Sequence, residues 1–141
     1  MAISADHVGR RYPPTSPYQV SAAKIAEFAH ALGDEDSAYA GEKPIAPPTF
    51  VAVISSTAWE SMFADPELGL ARRRTVHGDQ RFSYRRPLRA GDAVTATLTI
   101  DRVRSRGSAD IISCSADVET VGGELICTAE TTFLHTHETD A

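Results

Sequence analysis

Several things are scarce in this chain, and each scarcity excludes something. Cysteine occurs only at Cys114 and Cys127. Both lie in stretches of alternating apolar residues, so they read as reduced core thiols rather than a disulfide or a metal pair. No C-x-x-C or H-E-x-x-H spacing exists, and neither a metal nor a cofactor is expected. No stretch approaches the roughly 20 apolar residues that span a bilayer. The start, MAISADHVGRRYPP, has no long apolar run behind a basic head, so no secretory signal and no membrane partner are expected; the expectation is a cytoplasmic protein. A positive balance is missing as well. Fourteen Lys and Arg face nineteen Asp and Glu, for a net charge of -5, which argues against a nucleic-acid partner. Arg72, Arg73 and Arg74 are the local exception. They read either as a solvated edge or, more sharply, as a contact for a phosphate-bearing ligand.

What remains is an ordinary globular composition, 42% hydrophobic and 23% charged over 141 residues, which suits one domain spanning residues 1–141. Residues 1–17 are a polar, proline-rich lead-in, and Tyr18–Val20 suits a short edge strand. Ser21 is placed to N-cap a helix over Ala22–Leu32. There Ile25, Phe28, Ala29 and Leu32 share one face, and Gly33 supplies the stop. His30 lies beside that stripe as a surface residue near the helix C-terminus. An acidic loop, Asp34–Ala46, leads to Pro47 and Pro48, which suit the first turn of a helix because no N–H is needed there. From Thr49 to Phe63 apolar residues appear on almost every side, so the rest of the chain must wrap this helix. Its N-terminus points unpaired N–H groups and a positive dipole end at the loop that carries the acids.

After residue 75 the pattern is β. Thr75–Tyr84 is a first strand, and in Ala93–Arg104 the residues Val94, Ala96, Leu98 and Ile100 alternate with threonines. Gly122-Gly123 predicts a two-residue hairpin. That register pairs Val121 with Glu124, Val118 with Cys127, Ala116 with Ala129 and Ile112 with Phe133. Apolar residues then collect on one face, with Ile126 the one apolar residue left on the other; a slip of one position would destroy the separation. His135 and His137 fall in what reads as a polar tail, with residues 136–141 at its end. One antiparallel sheet with one apolar face, and one apolar helix before it, predict an α+β hot-dog fold in which the sheet curls around the helix. A cystatin-like or nuclear-transport-factor-like cone is the alternative, although those place the long helix first.

The order of segments resembles a known family. Gly33-Asp34-Glu35-Asp36-Ser37-Ala38-Tyr39, then Ala46-Pro47-Pro48-Thr49-Phe50, then Asp79–Asp92 with its Pro-Leu-Arg-Ala-Gly-Asp ending, resemble the MaoC-like hot-dog dehydratases from about Val8 to Phe133. Within them the chain is most similar to the N-terminal-type module, and to the non-catalytic A-type subunit of mycobacterial (3R)-hydroxyacyl-ACP dehydratases. The catalytic motif of that family reads Gly-Asp-x-Asn-Pro-hydrophobic-His. Here Gly33 and Asp34 match, Asp36 replaces Asn, Ser37 replaces Pro, and Tyr39 stands where His is expected.

The resemblance implies hydration of a 2-enoyl thioester or its reverse, with an Asp/His pair moving protons and a helix N–H polarising the carbonyl. Asp34 carries over as the catalytic Asp position, and Thr49 or Phe50, just after Pro48, would offer the N–H. The His does not carry over, and tyrosine, with a reference pKa of about 10, is a poor base. Three readings follow. The chain is a dehydratase subunit acting on acyl-CoA or acyl-ACP beside a catalytic MaoC-like partner; or a self-sufficient homodimeric hydratase or thioesterase; or a non-enzymatic acyl-thioester binding module. Asp34 also reads as a loop residue making an Asx turn. Tyr39 also reads as packing, His77 as a half-buried strand histidine, and Glu60 as the central helix's contact with water.

Overall fold

The computed structural model describes residues 2–138. Its elements are β1 (Tyr18–Gln19), α1 (Ala22–Leu32), α2 (Val51–Phe63), β2 (Thr75–Tyr84), β3 (Ala93–Arg106), β4 (Ala109–Thr120) and β5 (Leu125–Thr136). The strands form one antiparallel sheet in the order β1-β3-β4-β5-β2. The sheet curls around α2, which begins with a 3-10 turn at Pro48–Phe50. This is the hot-dog arrangement.

The alternation in sequence accounts for the packing. Val94, Ala96, Leu98 and Ile100 of β3 are buried beside Ile112, Cys114, Ala116 and Val118 of β4. The central helix lays Val51, Ile54, Ala58 and Met62 onto that face. Trp59 and Phe63 meet Phe133 edge-on, with ring centroids 4.9 and 5.8 Å apart. Both cysteine thiols are buried and unbridged, and burial pushes Cys114 up to about 12 and Cys127 up to about 11. No helix among the described residues is long and apolar enough to cross a membrane.

The β4–β5 hairpin keeps three of the four expected pairs, Val118 with Cys127, Ala116 with Ala129, and Ile112 with Phe133. Its turn is longer than Gly122-Gly123 alone. Thr120 accepts the Gly123 N–H (2.9 Å) and donates to Glu124 O (2.8 Å), so Val121 and Glu124 sit in the turn rather than in the ladder. Beyond Val118 the register shifts and Glu119 faces Leu125. The extra residue is Ile126. Its side chain therefore joins Cys127 in the core and is fully buried. Burying an isoleucine gains about 1.5–3 kcal/mol, more than the roughly 1 kcal/mol net value of one displaced ladder bond. The Ile126 carbonyl is not left unpaired either, because Arg85 N–H reaches it at 2.7 Å.

Two other segments are more ordered than their composition suggests. Residues 9–15 of the polar lead-in run along the outer edge of β3, with Gly9, Tyr12 and Thr15 N–H groups reaching Ile100, Leu98 and Ala96 carbonyls at 2.7–3.0 Å. Arg10 and Tyr12 both reach Asp65 at 2.7 Å, which latches the segment to the end of α2. At the other terminus β5 continues through His135, whose side chain is buried rather than lying in a tail. Its Nε2 accepts the Ala71 N–H at 3.0 Å. Burial, helped by the charge of Arg74, keeps this histidine below its ordinary pKa and neutral. His137 reaches Asp110 at 2.9 Å. Residues 139–141 of the expected tail lie outside the described residues.

Candidate active site

The loop after α1 is shaped by its own acids. Gly33 sits at φ 71°, a left-handed C-cap that only glycine adopts without strain, and it turns the chain out of the helix. Asp34 Oδ1 accepts the Asp36 N–H at 3.1 Å, and Asp36 Oδ1 accepts the Ala38 N–H at 2.9 Å. These are two successive Asx turns. They wind Ser37–Tyr39 into a 3-10 turn and tip the Tyr39 ring, half-buried, toward the core. Burial first, and then the charges of Asp34 and Asp36, raise the Tyr39 phenol above its ordinary pKa. Tyr39 therefore stays protonated at neutral pH. It can donate a hydrogen bond but cannot serve as a base.

The opposite wall comes from the Arg86–Asp92 segment. Ala46 N–H reaches Leu88 O at 2.8 Å and Ala90 N–H reaches Pro44 O at 3.1 Å, so this segment holds the stretch that delivers Pro47 to the helix. It is closed on itself by Asp92, which accepts two bonds from the Arg86 guanidinium at 2.9 and 3.0 Å and the Arg89 N–H at 2.8 Å. Burial alone would raise the Asp92 pKa; the Arg86 bonds and the Arg89 N–H outweigh it and hold the carboxyl below the usual range. Arg86 also reaches Glu124, at 2.9 and 3.2 Å.

At the start of the central helix the N–H groups divide by role. Pro47 and Pro48 have none to give. Phe50 N–H turns back to Pro47 O at 2.9 Å, and its ring is buried against Phe28 at 5.3 Å. Thr49 is exposed, and its N–H has no acceptor among the described residues. Tyr84, at the end of β2, donates its hydroxyl to Pro48 O. Burial first, then neighbouring Cys127, keep that phenol above its ordinary pKa.

Together these pieces leave a groove of about 250 Å³ before the helix N-terminus, lined by Tyr39, Ile45, Pro48, Tyr84, Arg85 and Arg86. Asp34 lies behind Tyr39 in a second hollow of about 170 Å³, with His30 and Asp36. Of the residues singled out from sequence, Tyr39 and Pro48 line the groove, Asp34 lies in the neighbouring hollow, Thr49 follows Pro48 as an exposed residue outside the lining, and Phe50 is core.

Arg72, Arg73 and Arg74 are elsewhere. They form a 3-10 turn leading into β2, beside the C-terminal end of α2, and 13 helical residues rise about 20 Å. Arg72 pairs with Glu60 and lies 4.5 Å over the Phe63 ring. Arg74 reaches Thr136 O at 3.1 Å, and Arg73 lies 3.8 Å from Glu138. His77 is exposed rather than half-buried, and its ring stands edge-on to Trp59 at 5.3 Å, at that same far end. Tyr84 and Arg85 were not among the expected site residues. The alternation of Phe82 and Tyr84 toward the helix side of β2 is the signal that could have placed the tyrosine.

The model of the family described as FAS1-like, dehydratase domain region, matches residues 6–129. The chain belongs to this family. As a FAS1-like dehydratase-region protein it is 51% identical over 136 residues to a UPF0336 protein of Cutibacterium acnes, covering 96% of both chains. A UPF0336 protein of Streptomyces coelicolor is 46% identical over 140 residues, 93% of each. Among solved structures, the C-terminally truncated HadBC (3R-hydroxyacyl-ACP dehydratase) complex of Mycobacterium tuberculosis superposes with a TM-score of 0.83 at 27% identity, over 94% of this chain and 99% of that one. R-hydratase PhaJ1 of Pseudomonas aeruginosa shares the fold, with a TM-score of 0.69 at 16% identity over 93% and 83%. The FAS1-like dehydratase chain is thus a MaoC-like hot-dog protein, and the groove lies at the N-terminus of its central helix.

Proposed function

We propose that this chain is a subunit of a (3R)-hydroxyacyl-thioester dehydratase, or (R)-specific enoyl hydratase, of fatty-acid metabolism. It works with a second MaoC-like hot-dog chain that carries the complete Asp/His pair. One observation carries the reading: the loop folds around Tyr39, held protonated, at the position where the family motif has its histidine. Water addition to an enoyl thioester needs a base on the attacking water and an acid at C2. Asp34 has its Oδ1 committed to the Asp36 N–H, and the motif position that would pair it with a histidine is Tyr39. The Thr49 N–H remains available to polarise a thioester carbonyl.

Partner geometry supports the same reading. The β3 edge is occupied by β1 and the lead-in, whereas β2 pairs on one side only, with β5. An unpaired strand edge is a template for another strand. HadBC and ChsH1–ChsH2, both complexes from Mycobacterium tuberculosis, resemble this chain in fold, with TM-scores of 0.83 and 0.68. A partner added antiparallel across β2 brings its own helix N-terminus beside the Trp59–His77 end of this chain. Arg72, Arg73 and Arg74 would then stand near the partner's thioester, where their charge suits a carrier phosphate.

The test is enoyl-thioester hydration by the chain alone and by the chain mixed with a catalytic MaoC-like subunit. The expected outcome is background turnover alone and enzyme-like turnover of the pair. Enzyme-like turnover by the chain alone, abolished by Asp34→Asn, sinks the proposal.

A further inference from the structure

The groove in front of α2 carries a charge that nothing nearby cancels. No carboxylate lines it, although the chain as a whole has a net charge of -5. Its two guanidiniums are not equivalent. Arg86 is held by Asp92 and Glu124 and is neutralised in place. Arg85 reaches no carboxylate within ion-pair distance among the described residues, and its backbone is pinned by the bond to Ile126 O at 2.7 Å. A rigid strand end therefore presents one uncompensated fork of donors at the groove wall.

We infer that Arg85 anchors the phosphate of a pantetheine-bearing thioester whose arm lies along the groove. The inference rests on the dehydratase reading and names a residue that binds its substrate. Guanidinium matches phosphate in shape and charge better than an ammonium does. A neutral pantetheine arm needs an apolar bed with a few polar groups, and Ile45, Pro48 and the two tyrosines provide one. That bed includes Pro48, the residue directly before Thr49, whose N–H is the proposed carbonyl donor. Arg72–Arg74 do not compete for this groove, because they stand beside the C-terminal end of α2, at the opposite end of the helix.

The ligands 4′-phosphopantetheine and pantetheine differ only by the phosphate, so calorimetric titration of the full chain with each isolates the contact. Arg85→Ala should weaken 4′-phosphopantetheine about tenfold at low salt and leave pantetheine unchanged. Arg85→Lys should recover part of the loss, and raised ionic strength should shrink the difference. CoA binding as tightly as 4′-phosphopantetheine identifies the free coenzyme as the source; a holo-carrier protein binding much more tightly than either identifies the carrier. If the wild-type chain binds none of these, or Arg85→Ala weakens both arms equally, the assignment is wrong. None of these titrations requires turnover. An inactive pair with Arg85-dependent binding therefore overturns the dehydratase reading and leaves the phosphate anchor standing.

Discussion

Within Gly33 to Tyr39 three positions, Asp36, Ser37 and Tyr39, depart from the family's catalytic motif, and the fold shows how little backbone stands between the two. Asp36 serves the turn through an oxygen that accepts the Ala38 N–H, and an asparagine offers the same oxygen. Ser37 opens a 3-10 turn, a position that tolerates proline. Tyr39 already faces the hollow that holds Asp34. The triple variant Asp36→Asn, Ser37→Pro, Tyr39→His should therefore fold. In enoyl-thioester hydration assays it should exceed the wild-type chain by about 10²-fold or more, the ordinary worth of a positioned general base. Wild-type rates from a folded variant would mean that the missing imidazole is not what silences the chain. Gly33, Asp34 and the Asx turn were legible because their interactions are local. Tyr84 was not, because only the tertiary packing of β2 brings it to Pro48, 36 positions away.

The Arg86–Asp92 segment shows how one carboxylate organises a whole element. Asp92 and Arg86 are mostly buried, with side chains 15% and 20% exposed, and breaking such a pair should cost about 2–4 kcal/mol. The sign of its pH dependence follows from the depressed pKa of Asp92. Unfolded, this carboxyl titrates near the reference value of about 3.9; folded, it titrates lower. Its contribution is complete above pH 4 and is lost as pH falls through the folded pKa. Thermal melts of wild type and Asp92→Asn should differ most at pH 5–7, begin to close below about pH 4, and converge once the pH is under the folded pKa. A gap that does not narrow at all as the pH is lowered from 6 would show that packing, not charge, closes the segment. At this scale the alternation of apolar residues read most of the sheet correctly, down to the Val118–Cys127 register. It failed at Ile126 because a bulge breaks the two-residue period. It also failed at His135, where a hydrogen bond from Ala71 makes a polar residue acceptable in the core.

For the molecule as a whole, the two sides of the sheet have different fates. Hydrogen exchange should read this directly. In the chain by itself, alternate amides of Thr75–Tyr84 point away from β5 and should exchange fast, while those bonded to β5 are protected. Adding the catalytic subunit should slow the outward set by at least tenfold and leave the β3 edge unchanged. Slowing confined to α1 would place the interface elsewhere. The lead-in read as a polar approach to the fold, because its bonds to β3 use backbone groups that residue types do not announce. Those bonds have a consequence for growth. A sheet open at both edges can add subunits head to tail into a filament, whereas one open at a single edge can add one neighbour and must then stop. By spending Gly9–Thr15 on the β3 edge, the chain makes association through strands self-limiting. Removing that segment should turn a terminating assembly into one with no natural end.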